Sequence, residues 1–449
     1  MLAYLFNQPD DMRVLYPVHL FILSFKIRID KHTGGKIHLS MHKIWSYIIL
    51  LMVVILSGCN VKTAQIWTDK PEFVLYGEYF NVIQNKYKVT VKYVDFPVNE
   101  IGRGNCPDLI VASWLKNSST GNTFKNLNNL FGAKGLSRAT FYQRVLAAGR
   151  IDHTQYLIPV SFNIPALVFS KDRSNLLSNH YTVDFDEVQG LSKSFNAMNR
   201  DVYTKMGFSP LWSDDFLLIS AMLSGASFRE ANPLAWDAAA LEKSMVFINN
   251  WTNEINSNNQ AEDDFTFKYF FEPPDRLIQS GRIFFSYMES NDFFILGEDR
   301  KNNIDFRWIM DQNRIPVTDD TVYLGIPKRI WSTKVSKEFI RWFFKIENQR
   351  TLLEYSMANR INENIFGICG GFSALSPVTE QIYPLFYPEL LGRMPPAENF
   401  IVSNVLPGNW VILRERVILP YLHDRARKND ASETYPLEKR LSDWMRVNR

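Results

Sequence analysis

The chain of 449 residues is poor in cysteine, with three, and in histidine, with seven. It has no apolar run of the ~20 residues that a membrane-spanning helix needs, and no repeat of short period. No H-E-x-x-H or G-x-S-x-G motif occurs, Cys and His are not clustered, and the G-R-G-N segment at 102–105 lacks the lysine of a phosphate loop. These absences argue against a solenoid and against metal-dependent or Ser-triad catalysis, and we expect no cofactor.

An excess of charge is also missing. The chain carries 50 Lys and Arg against 47 Asp and Glu, and six of the basic and three of the acidic residues precede Cys59. The two counts are therefore equal from Cys59 onward, which argues against nucleic-acid binding and against a polybasic membrane surface. The roughly 390 residues from Cys59 on are enough for a substantial core and two domains.

Residues 44–59, I-W-S-Y-I-I-L-L-M-V-V-I-L-S-G-C, predict an export signal. Lys43 supplies positive charge, about a dozen apolar residues follow, and small residues lead into Cys59. The alternative is a buried core helix. The L-S-G-C sequence at 56–59 resembles the lipobox of bacterial lipoproteins, which implies a diacylglycerol on the Cys59 sulfur and cleavage just before it. The resemblance implies a lipid-anchored protein on the periplasmic or extracellular face of the cell membrane.

The first forty residues lie upstream of this signal. Because a signal peptide normally begins the chain, we expect Met41 to be the true start and residues 1–40 to be a non-native extension. A genuine extension is the alternative. Residues 41–58 are then the signal peptide, and Cys106 and Cys369 are left as either one disulfide or two separate thiols.

Strand and helix patterns alternate after the signal. Apolar periodicity predicts strands over 64–67, 88–94 and 109–112. It also predicts an amphipathic helix over 73–84, between the first two strands. This order predicts an α/β fold with a parallel sheet covered by helices. Ligands of such sheets bind outside the carboxyl ends of the strands. Trp67 and Asp69 after the first strand, and Trp114 after the third, are therefore candidate ligand contacts.

Later segments carry further signals. Residues 155–171 predict two apolar strands broken by Pro159 and Pro165, as in a crossover between domains, with Asn163 at the junction. The dipeptides at 209–210 and 232–233 place an N-cap residue before proline and predict helix starts. A short helix over 275–280 is expected to end at Gly281, and a strand over 283–288 to follow it.

Several segments together resemble the maltose-binding-protein-like family 1 of bacterial extracellular solute-binding proteins. They are the lipobox, P-D-L-I-V at 107–111, P-V-S-F-N-I-P-A-L-V-F at 159–169, Q-S-G-R-I-F-F at 279–285, Y-L-G-I-P-K at 323–328 and E-F-I-R-W-F-F at 338–344. The resemblance covers nearly all of the chain after the signal. It implies a two-lobed periplasmic-binding-protein fold of type II, in which each lobe is a mostly parallel sheet flanked by helices and the ligand cleft lies at the hinge.

The resemblance also implies boundaries and partners. The N-terminal lobe is expected to comprise 59–162 and 285–318, and the C-terminal lobe 163–284 and 319–449. The implied role is to capture a small-molecule solute, a sugar or sugar-like compound, and to deliver it to the permease of an ABC transporter. We expect a monomer that performs no covalent chemistry, binds no nucleic acid and contacts the membrane through a lipidated Cys59.

The family's cleft positions fall on aromatic and polar residues of this chain. They are Trp67, Asp69, Trp114, Asn163, Trp212, Tyr287, Glu289, Phe372 and Trp410. Aromatic faces stack on the C–H faces of sugar rings, and carboxylates and amides bind hydroxyl groups, so this mixture favours a carbohydrate. Each aromatic residue taken singly could instead belong to the core.

Two other functions compete with transport. A surface hydrolase would have to use Asp214 and Asp215 or His153, His180 and His423, but neighbouring carboxylates at a helix start are better explained by the helix dipole. A lipoprotein of the same fold that serves sensing or adhesion is the remaining alternative, because it needs the same closing cleft.

Overall fold

The computed structural model describes residues 61–101, 106–132, 135–232 and 234–448. The predicted signal, the lipobox and residues 1–40 therefore lie outside the described residues. The described residues belong to a single compact unit. No helix among them has both the length and the apolar character that crossing a bilayer requires.

A six-stranded sheet forms the first layer of the fold. Its strand order is β17-β6-β16-β3-β1-β2. The bounds are β1 Lys62–Thr68, β2 Tyr87–Tyr93, β3 Leu109–Ser113, β6 Ile158–Phe162, β16 Val322–Gly325 and β17 Phe372–Ser373. Strand β1 runs parallel to both β2 and β3, whereas β16 runs antiparallel to β3 and β6. The three strands predicted near the start of the chain are thus confirmed.

A four-stranded sheet with the order β13-β7-β14-β8 forms the second layer. Its strands are β7 Pro165–Ser170, β8 Thr182–Val183, β13 Phe285–Glu289 and β14 Ile304–Ile309. Strand β7 runs antiparallel to β13 and β14, while β14 runs parallel to β8. Both sheets are therefore mixed, since each contains parallel and antiparallel pairs of strands.

Short two-stranded ladders complete the strand inventory. They pair β4 Arg150–Ile151 with β5 Thr154–Gln155, β9 Ala197–Asn199 with β10 Val202–Lys205, β11 Arg229–Glu230 with β12 Leu234–Ala235, and β15 Ile315–Pro316 with β18 Phe400–Ile401. The last ladder is parallel and joins segments that are distant along the chain.

Sixteen α-helices occur in the described part of the chain. They are α1 Phe73–Val82, α2 Pro97–Glu100, α3 Thr120–Thr123, α4 Gln143–Ala148, α5 Phe185–Phe195, α6 Asp214–Ser224, α7 Ala238–Ile255, α8 Asn259–Lys268, α9 Pro274–Gln279, α10 Ser290–Phe294, α11 Glu298–Lys301, α12 Lys334–Phe343, α13 Ile346–Ala358, α14 Trp410–Leu413, α15 Leu419–Ala426 and α16 Leu437–Val447. A π-helical turn over Arg414–Ile418 connects α14 to α15.

Two predicted helix starts move downstream. Ser209 caps only a short 3-10 turn, and α6 begins at Asp214, where the hydroxyl of Ser213 accepts from the backbone N–H of Phe216 at 3.2 Å. The helix expected after Pro233 begins at Ala238, where Asp237 accepts from the N–H of Ala240. In both cases the helix begins after a capping side chain further along the chain, Ser213 or Asp237, and not after the residue that precedes the proline.

The second sheet is buried on both faces. Along β7, Ala166 and Val168 pack into one hydrophobic cluster and Leu167 and Phe169 into the other, as the two-residue period of a strand requires. The first cluster also fills the first sheet and its helices, and the second lies under α6, α7 and the C-terminal helices. Burial on both faces explains why residues 164–169 read as an unbroken apolar run.

The chain crosses between the sheets beside Asn163. Its amide nitrogen donates to the carbonyl of Gly370 at 2.9 Å, and its side-chain oxygen accepts from the hydroxyl of Ser290 at 2.6 Å. The backbone N–H of Thr318 donates to the carbonyl of Asn163 at 3.0 Å. One side chain and its backbone therefore tie together three segments that are far apart in the sequence, at the predicted junction.

Strand pairing differs from the expected lobe boundaries. Strands β13 and β14 fall within 285–318, which was assigned to the N-terminal lobe, but they pair with β7 in the second sheet. Strand β16 falls within 319–449, assigned to the other lobe, but it pairs with β3 and β6 in the first sheet. Strands β13 and β14 pair with the two sides of β7, so the chain completes the second sheet before it returns to the first. The return crossing therefore lies near 316–322, between β15 and β16.

Both described cysteines are free thiols. Cys369 is buried and Cys106 is half-buried. Of the two arrangements left open by the sequence, the structure has the one with two separate thiols.

Two glycines give a matched test of backbone constraint. Gly367 has φ +58°, and a Cβ there would lie 2.5 Å from the hydroxyl oxygen of Tyr383 and 2.6 Å from the carbonyl oxygen of Gly371. Gly190 lies inside α5 with nothing within 4 Å of an added Cβ. Gly367→Ala is expected to lower the free energy of unfolding by about 2–3 kcal/mol, and Gly190→Ala to raise it by about 0.5–1 kcal/mol.

Urea unfolding of both variants measures these changes. Equal effects of the two substitutions, or a stabilising effect of Gly367→Ala, would contradict the backbone geometry described here.

Candidate functional site

An inner cavity of about 230 Å³ lies at the end of β13. Its wall includes Tyr287 and Glu289 from this strand, Asp215 from the first turn of α6, and Trp410 and Arg414 from the C-terminal helical region. Residues 401–404 and Thr318 close the remaining side. Side chains from β13, α6 and the C-terminal helices thus converge on one space.

An outer cavity of about 660 Å³ shares Asp215, Tyr287 and Glu289 with the inner one. Its aromatic wall contains Trp212, whose ring stacks on Phe265 at a centroid distance of 5.8 Å and an interplanar angle of 19°. Combined with the inner cavity, this volume falls in the range of small-molecule sites. The three shared side chains form the neck between the cavities.

The two halves of the fold face each other beside the inner cavity. A small cavity is lined by Trp114, which follows β3 of the first sheet, and by Trp410, which packs with the helices covering the second sheet. Across the same cleft, the backbone N–H and hydroxyl of Ser118 donate to the carboxylate of Glu230 at 2.5 and 2.7 Å. Tryptophans from both halves therefore border one continuous cleft.

Several polar atoms in these walls are buried without a hydrogen-bond partner. They are the indole N–H groups of Trp114 and Trp212 and the hydroxyl of Tyr287. Next to Trp114, outside these walls, the Oδ1 of Asp69 and the hydroxyl of Ser113 also lack a partner. A buried polar group that lacks a partner costs about 1–3 kcal/mol, so native proteins keep few of them. Such atoms also occur elsewhere in the described part of the chain, but those of Trp114, Trp212 and Tyr287 belong to side chains that line cavities, where a ligand would supply the missing partner.

Arg414 organises the charges of the inner cavity. Its guanidinium forms an ion pair with Asp215, and its Nε lies 3.7 Å from the Oδ2 of Asp319. The indole N–H of Trp410 donates to the same Oδ2 at 2.6 Å. Burial raises the pKa of Asp319 above its ordinary value although Arg414 and this hydrogen bond act in the opposite direction. The orientation of Trp410 is therefore fixed by a charge-assisted hydrogen bond.

Glu289 has no direct ion pair, although Arg414 attracts it at longer range. Burial raises the pKa of its carboxyl well above the ordinary 4.5, and the carboxylates of Asp320, Asp215 and Asp292 raise it further. Asp69 behaves in the same direction, since burial raises its pKa against the lowering effect of Lys70. Burial therefore favours the protonated, neutral form of both carboxyl groups.

The structure brings six of the nine predicted site residues to the cleft or its edge. Trp114, Trp212, Tyr287, Glu289 and Trp410 line the cavities, and Asp69 accepts from the N–H of Ser113 beside Trp114 at 3.2 Å. Tyr287 and Glu289 lie on the same face of β13 because they are two residues apart along the strand.

Three predicted residues occupy other surroundings. Asn163 holds the crossing between the sheets. Trp67 is 3% exposed within β1 and donates to the side-chain oxygen of Gln65 at 2.9 Å. Phe372 is fully buried, with its ring 5.0 Å from that of Phe366 and 5.7 Å from that of Trp308. Neither Trp67 nor Phe372 lines the cavities described above.

Sequence reasoning missed Asp319 and Arg414 and assigned Asp215 only to a helix dipole. Asp215 does lie in the first turn of α6, but it also pairs with Arg414, 199 residues later. The Asp319-Asp320 pair precedes the amino end of β16, and only the antiparallel pairing of β16 with β3 brings it to the carboxyl end of β3, where ligands of such sheets bind. Arg414 lies in a π-helical turn and had no local signal.

Comparison with known proteins supports the fold. Solved structures with the two-lobed fold of ABC-transporter sugar-binding proteins cover most of this chain. No family model and no curated protein sequence matches it.

Three of these structures give the scale of the similarity. The sugar-binding protein MalE from Xanthomonas citri is 11% identical with a TM-score of 0.61, covering 85% of this chain and 95% of its own. An ABC substrate-binding protein from Listeria monocytogenes in complex with cycloalternan is 14% identical with a TM-score of 0.57, covering 85% and 97%. The galacto-N-biose/lacto-N-biose I-binding protein from Bifidobacterium longum is 14% identical with a TM-score of 0.53, covering 85% and 95%. Identities this low establish the fold.

The raised pKa of Glu289 has a measurable effect on stability. A carboxyl whose pKa is raised in the folded state makes the protein lose stability as pH rises above the ordinary 4.5, because the folded state holds the proton more tightly than the unfolded state does. Glu289→Gln removes this loss. The variant is expected to melt about 1–3 °C above the wild type at pH 8, with little difference at pH 4.

Differential scanning calorimetry between pH 4 and pH 8 measures the difference. Glu354→Gln, on the exposed face of α13, serves as the control and should show no such trend. A Glu289→Gln difference that stays constant or shrinks with rising pH would contradict the assignment.

Proposed function

We propose that this protein captures a carbohydrate or sugar-like solute in the cleft between its two halves. The observation that carries the proposal is the set of tryptophans along the cleft, with Trp114 from one half, Trp410 from the other and Trp212 in the outer cavity. Sugar rings present apolar C–H faces and polar edges together, and indole rings beside carboxylates match both. The sugar ligands named for the similar structures support this ligand class.

Contacts from both halves supply a mechanism of capture. A ligand stabilises the closed form only if it binds that form more tightly than the open one. A solute held between Trp114 and the Trp410–Asp319 pair would touch both halves and gain those contacts on closure. The crossing at Asn163, with its hydrogen bonds to Gly370 and Ser290, is the natural axis for the movement.

Binding without covalent chemistry is the proposed activity. Asp215, one of the two neighbouring carboxylates that a hydrolase would have to use, is already paired with Arg414. Among the described residues, no group of three or more His, Cys, Asp and Glu side chains could hold a metal ion. A site built from aromatic faces, amides and paired carboxylates suits reversible binding followed by release to a transporter.

Delivery to an ABC-transporter permease and a lipid anchor at Cys59 complete the proposal. The fold is shared with substrate-binding proteins of ABC transporters, and the lipobox-like sequence precedes the first described residue. Acyl chains contribute about 0.8 kcal/mol per buried methylene, so a diacylated cysteine holds a protein at a membrane without a spanning helix. The folded part would then stay beside its permease.

Ligand binding tests the first part. The chain from Asn60 on is screened by thermal shift and tryptophan fluorescence against mono- and oligosaccharides, polyols and amino acids. A ligand at a hundredfold excess over its Kd stabilises the native state by about 2.7 kcal/mol, which such a screen detects. A shift with one class of sugar is expected. A cooperative melt that no sugar changes would refute sugar capture.

Tryptophan variants locate the site. Trp114→Ala and Trp212→Ala are each expected to weaken binding of the sugar that the screen identifies by about 1–3 kcal/mol. Trp331→Ala is the matched control, because this side chain is fully exposed and lines none of the described cavities. Isothermal titration calorimetry gives the affinities. Unchanged affinity in both cleft variants would place the site elsewhere.

The anchor has its own test. Cys59→Ser is expected to release the protein from the membrane fraction of expressing cells, because the substitution removes the thiol that would carry the lipid. Cys106→Ser, which alters a half-buried thiol of the folded part, is expected to leave the protein in that fraction. Membrane association that survives Cys59→Ser would disprove lipidation at this residue.

A further inference from the structure

The cations at the inner cavity are already committed to other partners. Arg414 lies between Asp215 and Asp319. Arg314 donates to the backbone carbonyl of Leu223 and lies 3.8 Å from the carboxylate of Asp311. Neither guanidinium pairs with Glu289, the third carboxylate of the cavity wall.

Glu289 occupies the neck, where it lines both the inner and the outer cavity. Among the described residues, its carboxylate has no ion-pair or side-chain hydrogen-bond partner. The carboxylates of Asp215, Asp292, Asp319 and Asp320 surround it closely enough to act on its ionisation. An ionised carboxylate in such a place is strongly destabilising unless a positive charge joins it.

A metal ion is a poor candidate for that charge. A divalent cation such as Ca²⁺ takes six to eight oxygen ligands within about 2.3–2.6 Å. The carboxylates at the neck do not converge in this way, and the described residues contain no group of three that could hold a metal. An ammonium group needs only one or two acceptors and can be carried on a larger molecule.

Tyr287 provides a second observation at the same place. Its hydroxyl is buried, has no hydrogen-bond partner, and belongs to a side chain that lines both cavities beside Glu289. A phenolic oxygen can accept a hydrogen bond from an ammonium N–H while its own proton goes to a neighbouring hydroxyl. Glu289 and Tyr287 together form a pair of hydrogen-bond acceptors between two cavities with aromatic walls.

We propose that the solute carries a free amino group, as an amino sugar does, and that this ammonium group binds Glu289 and Tyr287 at the neck between the inner and outer cavities. The proposal rests on the proposed function and narrows its ligand class. Glu289 is then the residue that selects an amine over a hydroxyl or an N-acetyl group at one ring position.

Three sets of probes of equal ring number and linkage test this selection. They are β-1,4-linked oligomers of glucosamine, their fully N-acetylated counterparts, and the corresponding oligomers of glucose, each with one to four rings. Isothermal titration calorimetry at pH 6.5 is carried out on the chain from Asn60 on, whose described residues form one compact unit. We expect the free amines to bind at least tenfold more tightly than either neutral set.

Glu289→Gln tests the assigned residue, with Glu354→Gln on exposed α13 as the control. Glu289→Gln should abolish the preference for the amine, while any binding of the neutral probes remains within about twofold. Glu354→Gln should keep the wild-type preference. Because glutamine is nearly isosteric and uncharged, a cooperative melt of the variant separates lost recognition from lost folding.

Each of the remaining outcomes contradicts either the amino group of the solute or the role of Glu289. Equal binding of all three probe sets, or a preference for a neutral set, would refute the amine and leave sugar capture standing. A preference for the amine that survives Glu289→Gln would refute the role of Glu289. If no probe binds to a protein that melts cooperatively, the amine fails, and the wider sugar screen then decides whether sugar capture fails with it.

Discussion

The arrangement of this protein depends on how the chain passes between its two sheets. Asn163 accepts from Ser290 and donates to Gly370, and its backbone carbonyl accepts from Thr318. The bond from Ser290 is buried and that to Gly370 is partly buried, so losing a partner would leave a polar group unsatisfied away from water. They hold the end of β13 and the segment before β16 in register with the first sheet. The cleft exists because those ends are held to face each other.

Carboxylates in the cleft differ in how their charge is balanced. Arg414 neutralises Asp215 and Asp319, and Trp410 gains a fixed orientation from the same carboxylate. Among the described residues, Glu289 has no direct ion-pair partner, and burial raises its pKa. A buried pair contributes little net stability, whereas an unpaired buried charge is costly. The difference between these carboxylates separates the structural part of the wall from the part available to a ligand.

The sequence predicted individual strands and helices well, but it predicted poorly which of them pair in the fold. Period-two and helical patterns located β1, α1, β2 and β3, and the broken apolar run located the crossing at Asn163. The expected lobe boundaries failed at β13 and β16, because strand pairing depends on neighbours more than a hundred residues away. Trp67 and Trp114 were both expected to follow strands, yet only the folded chain shows that Trp67 lies within β1 and that Trp114 reaches a cavity.

The sequence alone determined the α/β class, the near-neutral charge after Cys59 and the high aromatic content, and it carries the predicted export signal. Composition and short-range periodicity are local properties, so they can be read without the fold. Only the tertiary structure decided that Arg414 meets Asp215, that Trp410 is held by Asp319, and that Glu289 stays unpaired between two cavities. Those relations join residues up to 199 positions apart. Packing creates them, and packing also sets the burial that gives each charge its energy.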